Sequence, residues 1–169
     1  MLIGGIAVIA NGHIRTTDDV DATVSGHATS AREILDLAAT LDIVPRIPDP
    51  LAFAERNQIL LLVHQPSGVE LDISLAWLPF EEHALERCLS VDFRGITLHI
   101  CHPEDLVVYK LVAGRPLDLE DARQLTLLHH RTIDRRRVSD VLREFDEVLE
   151  DRRSRVELWD EIAGSAYQA

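Results

Sequence analysis

The sequence predicts a mixed α/β fold of α+β character: a small mixed sheet flanked by helices, followed by a helical C-terminal region. Three observations lead there. Short runs rich in β-branched residues, "DVDATVS" (19–25) and "QILLLVHQPSGVELDISLAW" (58–77), alternate with segments of helical period. Beyond Pro103 the strand-like runs stop and helical patterns continue to the end. The 169 residues, 46% hydrophobic and 27% charged, suffice for one well-buried domain or a domain with a helical appendage.

The elements follow in order. "GGIAVIANG" (4–12) reads as a helix opened by a glycine pair and stopped by Asn11-Gly12. "DVDATVS" is a strand. "SAREILDLAATLD" (30–42) is a helix with Ser30 as N-cap and Glu33 at the capping-box position. Pro45, Pro48 and Pro50 punctuate a loop. The run from Gln58 to Trp77 splits into two strands around Gln65-Pro66-Ser67-Gly68, a hairpin. "EEHALERCL" (81–89) is a short helix and "ITLHIC" (96–101) a strand. "PEDLVVYKLVAG" (103–114) is a helix begun by proline and closed by Gly114; "DLEDARQLTLLHH" (118–130) is another. From Val138 to about Ile162 the pattern stays helical. The expected organisation is a core over residues 1–102 and a helical region over 103–169.

Composition narrows the function. No apolar run is long enough to span a bilayer, and the apolar start lacks the basic region of a signal peptide. Two cysteines, Cys88 and Cys101, are too few for a disulfide framework and read as buried thiols of a cytoplasmic protein. The formal charge of −12 argues against broad, charge-driven binding to nucleic acid. Arginines do gather at Arg131, Arg135, Arg136 and Arg137, and again at Arg152, Arg153 and Arg155. They read as a solvated helix face paired with acids such as Asp134, Asp140 and Glu144. The eight histidines follow no metal-ligand spacing.

The chemistry concentrates in carboxylates. Alternate side chains of a strand share a face, so Thr17, Asp19 and Asp21 point one way and Asp18 and Val20 the other. Two carboxylates at i and i+2 repel unless a cation lies between them, and such oxygen-rich pairs suit Mg²⁺. Asp72 stands mid-strand between Leu71 and Ile73, a costly place for a charge without a partner. Each signal has an ordinary alternative: Asp19 and Asp21 capping a turn, Asp72 on a wet face with Glu70. Upstream, Gly4 and Gly5 open a helix, where free N–H groups favour an anion and the missing side chains allow its close approach. In order, the chain offers a phosphate cradle, an Asp-x-Asp pair and a third strand-borne Asp. A two-metal phosphoryl- or nucleotidyl-transfer site needs those parts.

With these residues in place the sequence resembles the nucleotidyltransferase superfamily that shares the DNA-polymerase-β palm. More narrowly, "IGGIAVIANGHIRTTDDVDATV" is similar to the AbiEii-like nucleotidyltransferases, and "PEDLVVYKLVAGRPLDLEDARQL" to the helical segment of the same group. Together the two stretches cover most of residues 2–127. The resemblance implies a small nucleotidyltransferase sheet. It implies Gly4 and Gly5 around the triphosphate, two Mg²⁺ ions on Asp19, Asp21 and Asp72, and Asp72 beside the attacking hydroxyl. Lys110 would reach the nucleotide phosphates, and Arg15, with Thr17, would steady the loop before the Asp-x-Asp pair or contact substrate. Asp118 and Asp121 would orient Lys110. Only Met1, Leu2 and Ile3 precede the glycine pair, where family members usually carry a helix and a full strand, so either the start is truncated or the fold tolerates a shortened first strand.

The implied activity is transfer of a nucleoside monophosphate from a nucleoside triphosphate to an acceptor hydroxyl on RNA, tRNA or protein. The implied setting is a toxin–antitoxin system with a cognate antitoxin. Two other readings stay open: adenylylation of a small molecule such as an antibiotic, which the acidic charge favours, and a silent nucleotide-binding or interaction module.

Overall fold

A computed structural model describes residues 1–149 and 154–166. In chain order the elements are α1 (Gly4–Ala10), β1 (Asp19–Ser25), α2 (Ala31–Ala39), β2 (Ile43–Pro45), α3 (Pro50–Asn57), β3 (Ile59–His64) and β4 (Glu70–Ala76). They continue with α4 (Pro79–Glu86), β5 (Leu89–Phe93), β6 (Ile96–Ile100), α5 (Pro103–Ala113), α6 (Pro116–Leu128), α7 (Arg135–Val148) and α8 (Arg155–Ala166). The mixed α/β class expected from the sequence is what the chain adopts. It divides into two compact units, Met1–Ala7 with Arg15–Cys101, and Val8–Ile14 with His102–Ala169.

The first unit is built on a four-stranded sheet of order β1-β4-β3-β2, in which β1 and β4 run parallel and the other pairs antiparallel. Alternation gives the sheet two unlike faces. Leu60 and Leu62 of β3, Leu71, Ile73 and Leu75 of β4 and Val24 of β1 form one face. They pack against Ala31, Ile34, Leu35 and Ala38 of α2 and Ala54 of α3. The other face carries Asp19 and Asp21 of β1 and Glu70 and Asp72 of β4. Helix α2 starts as expected: Ser30 accepts the Glu33 amide, and the Glu33 carboxylate returns to Ser30. The Ser30 amide and hydroxyl both donate to the Glu33 carboxylate, at 2.8 and 2.7 Å, and hold this exposed carboxyl below its ordinary range.

Three segments differ from the sequence reading. The proline-punctuated loop is shorter than expected: β2 ends at Pro45, an edge strand that tolerates proline, and α3 starts at Pro50. Asp49 caps that helix by accepting the Ala52 amide, and Pro50 occupies the first turn, where its missing N–H costs nothing. The helix read over residues 81–89 begins earlier, at Pro79, and ends at Glu86, leaving Leu89 to open β5. Strands β5 and β6 form a hairpin through Arg94 and Gly95, whose φ angles of 55° and 83° match the primed two-residue turn. The continuous C-terminal helix is two helices, since Leu149 is extended at the end of α7. Arg152 and Arg153 lie outside the described residues.

Met1–Ile3 does the work of a strand in three residues. Leu2 bridges Ala22 of β1 on one side and Ile100 of β6 on the other. The Ile3 amide donates to the Asp21 carbonyl at 2.9 Å, so this segment fixes the backbone of the Asp-x-Asp strand directly.

In the second unit α5 packs against α6, α7 and α8. Eight of its eleven residues are buried, from Pro103 to Leu111, so it is enclosed around most of its circumference. The buried residues of those helices include Leu125 of α6, Val138 and Leu142 of α7, and Trp159 of α8, which donates its indole N–H to the Arg135 carbonyl at 3.2 Å. Burying α5 takes acids with it: Glu104 and Asp105, 4% and 0% exposed, lie in its first turn. Arg137 donates to Asp105 at 2.7 Å, and Glu104 accepts the Asp134 amide at 2.8 Å. Arg137 therefore serves a buried acid instead of the exposed ones on its own helix, whereas Arg143 pairs with Asp140 as a surface ion pair at 2.8 Å. Cys101 is buried as expected; Cys88 is only half buried. Among the described residues no helix is long and apolar enough to cross a membrane.

Candidate active site

The first unit gathers most of the site residues expected from the sequence. Parallel pairing sets Asp19 opposite Glu70 and Asp21 opposite Asp72. Register partners in neighbouring strands point to the same side of a sheet. The four carboxylates thus form a two-by-two grid on the face away from α2 and α3. Asp18 precedes β1 and is exposed, outside this grid.

The glycine pair lies against the grid. Gly4 has a φ of 57°, which an L side chain rarely adopts, and an added methyl would land inside the Asp21 carboxylate. A methyl on Gly5 would collide with the Thr17 hydroxyl and come 3.1 Å from the Arg15 guanidinium. Thr17 in turn donates its hydroxyl to Asp19 at 2.8 Å, and Arg15 donates to the Thr16 carbonyl at 2.6 Å. Gly4, Gly5, Arg15, Thr17, Asp19 and Asp21 are therefore one contiguous patch, with Asp72 joined to it by register.

Two residues of this face were not singled out from the sequence. Glu70 is the fourth carboxylate; its position two residues before Asp72 was the available signal. Arg46 follows β2, and its amide donates to the Leu61 carbonyl at 2.9 Å. It is therefore in line with Leu61, Asp72 and Asp21 across the sheet. Its guanidinium donates through Nη1 to Glu70 Oε2 at 2.6 Å and through Nη2 to Asp72 Oδ1. Nothing local in the sequence announces that contact, because it depends on the pairing of a three-residue strand.

The donor set suits a hard divalent cation in kind: carboxylate oxygens, on one face, in register. Its side chains do not converge as they stand. Among the described residues no three His, Cys, Asp or Glu side chains meet where a metal ion could sit, and Asp72 is turned toward Arg46.

Lys110 lies in the second unit. Its ammonium is 3.0 Å from Asp118 and 2.9 Å from Asp121, and all three side chains are nearly sealed from solvent at 6%, 4% and 0% exposure. Arg115 reaches Asp118 from outside at 2.6 Å, and His13 Nε2 approaches Asp121 at 3.9 Å. Burial of Asp118 favours its neutral form, but hydrogen bonds from Arg115 and Lys110 outweigh that and hold its carboxyl below the ordinary 3.8. Two cations face two acids here, so the cluster is neutral without any outside ion.

A mixed sheet with a carboxylate grid on one face and a glycine pair packed on it is the frame of a nucleotidyltransferase-type fold. The chain belongs to a family described as nucleotidyltransferase of unknown function (DUF6036), whose model matches residues 1–165. That membership places it in the nucleotidyltransferase superfamily. Among solved structures it is similar to an antigenic nucleotidyltransferase-like protein from Paracoccidioides brasiliensis. The two share 15% identity at a TM-score of 0.55, over 93% of this chain and 83% of that one, a likeness of fold. No curated protein matches the chain.

Proposed function

We propose that the protein is a Mg²⁺-dependent nucleotidyltransferase that moves a nucleoside monophosphate from a nucleoside triphosphate to an acceptor hydroxyl. The observation that carries this reading is the register that sets Asp21 opposite Asp72 and on the same face as Asp19, with Gly4 packed against Asp21. Asp19, Asp21 and Asp72 would hold two Mg²⁺ ions, which supply charge neutralisation for the triphosphate and acidify the acceptor hydroxyl. Asp72 would take the hydroxyl proton as the hydroxyl oxygen attacks the α-phosphorus. The bond from that phosphorus to the bridging oxygen breaks, and pyrophosphate leaves. Gly4 and Gly5 would let the triphosphate approach the backbone, and Arg15 and Thr17 would fix the loop that carries Asp19.

The sequence stretches shared with the AbiEii-like group support a toxin–antitoxin setting, with RNA, tRNA or protein as acceptor and a cognate antitoxin as partner. The net charge of −12 favours a second acceptor class, a small molecule with a free hydroxyl. Incubation with each α-labelled nucleoside triphosphate and Mg²⁺, supplied in turn with total RNA, a protein lysate and an aminoglycoside panel, tests both. Label should pass to one acceptor in the wild type and to none in Asp19→Ala. The absence of Mg²⁺-dependent triphosphate binding in calorimetry, with wild type and variant alike, would leave a silent interaction module instead.

A further inference from the structure

We infer that Arg46 is a positioning residue that governs divalent-cation binding: it holds Asp72 as a built-in counter-cation and must release it before an ion can use that carboxylate. The inference rests on the reading of Asp19, Asp21 and Asp72 as cation ligands and adds to it the residue that controls their availability.

Asp19, Asp21, Glu70 and Asp72 occupy adjacent positions on two paired strands. Four carboxylates at that spacing repel one another. Counting Arg46 and the neighbouring Arg15, two negative charges remain in excess. The chain therefore partly neutralises the grid, and it does so at one edge, Glu70 and Asp72, through the fork of a single guanidinium.

Exposure sets how firmly that edge is held. The side chains of Arg46, Asp72 and Glu70 are 25%, 31% and 53% exposed. Ion pairs this open to water are worth about 1 kcal/mol or less. A divalent cation with two further carboxylates beside it competes well against such a pair. Asp72 Oδ1 cannot serve guanidinium and metal together without placing two positive centres side by side. Glu70 gives Arg46 somewhere to remain once Asp72 is released. It lies on the same face, accepts the other arm of the fork, and faces Asp19, not Asp21, across β1 and β4. The lack of convergence among the carboxylates thus has a cause within the chain, and a remedy: a rotation of one side chain.

The test uses the full chain with Mn²⁺ alone, by calorimetry and by electron paramagnetic resonance of the free ion, with no nucleotide present. Arg46→Gln should bind Mn²⁺ about five- to twentyfold more tightly than wild type, the range expected for removing a competing, partly exposed ion pair beside excess negative charge. Arg46→Lys keeps the charge but loses the fork, so its affinity should fall between the two. In an Asp72→Asn background the gain from Arg46→Gln should shrink to about twofold or less, because the carboxylate that Arg46 guards is gone. Unchanged or weaker binding in Arg46→Gln overturns the inference, as does the absence of Mn²⁺ binding in both proteins. A gain that persists in full with Asp72→Asn overturns it too, since Arg46 would then act through its field alone. The transfer assay stands apart from these outcomes. Transfer lost in Asp19→Ala with no Arg46 effect on Mn²⁺ sinks only the inference. An Arg46 effect with no transfer to any acceptor sinks only the transferase reading.

Discussion

The two units of this chain solve the same problem in opposite ways. Each clusters aspartates near basic side chains. In the second unit Lys110, Asp118 and Asp121 are nearly sealed from solvent, and with Arg115 their charges cancel. In the first, Asp19, Asp21, Glu70 and Asp72 remain partly open to water and keep an excess of negative charge beside Arg46. A sealed, neutral cluster has little left to offer a ligand and much to lose if a member is removed. An open, unbalanced one contributes little to stability and keeps charge available for chemistry. Identical residue types therefore acquire different roles from burial and balance.

The sealed cluster should break hardest. Lys110→Met leaves the buried Asp118 and Asp121 with only the exposed Arg115 as counter-charge, and removing one partner of a buried pair typically costs about 3–5 kcal/mol. Urea denaturation of Lys110→Met should show a loss of that size, and Asp121→Ala a smaller one, because Lys110 keeps Asp118 as its partner. Both variants at wild-type stability would mean that water reaches the cluster freely and that the contrast between the units fails.

The open face should respond in activity while its stability stays near wild type. Asp21→Ala should lower the transfer rate at least about a hundredfold, as expected when an inner ligand of a catalytic cation is lost. Asp18→Ala should stay within about twofold, because Asp18 lies outside the strand and its grid. Thermal melting of both variants should match wild type within about 1 kcal/mol, which separates loss of chemistry from loss of fold. Equal losses of rate from both would place the Asp18 carboxylate in the site and break the assignment of faces.

What the sequence disclosed follows this division. Asp19, Asp21 and the glycine pair were legible because their meaning is local: strand alternation places the acids, and glycine marks close backbone approach. Asp72 was legible because a carboxylate between Leu71 and Ile73 violates an apolar pattern. The Ser30–Glu33 box and the Pro103 and Gly114 boundaries of α5 were readable from neighbouring residues in the same way. Arg46 was hidden because its partners are 24 and 26 residues away, and its strand is three residues long and ends in proline. Strand β5 was missed since all its residues are exposed and it follows a helical run without a break. Buried acids at Glu104 and Asp105 resemble ordinary first-turn helix residues; only the path of Arg137 back onto α5 reveals them. Long-range pairing, not local propensity, was the missing information.

The smallest effect tests the boundary between the two kinds of cluster. Arg115 is 77% exposed, yet it bonds to Asp118, which is nearly buried. Arg115→Ala should cost less than about 1 kcal/mol at neutral pH, because water screens so open a guanidinium. The loss should depend on pH in a defined direction. The Asp118 carboxyl is held below the ordinary 3.8 in the folded chain, burial opposing and Arg115 and Lys110 outweighing it. Its contribution to stability is therefore complete above the unfolded value and disappears as pH falls through the lower, folded one. Removing Arg115 brings the folded value back toward the unfolded one, so the variant loses this contribution at higher pH than wild type. Stability curves for the two proteins, from about pH 7 down to about pH 2, should be parallel at first and converge in acid. A gap that persists unchanged at the acid end would mean that Arg115 acts by covering apolar surface with its stem and not through Asp118.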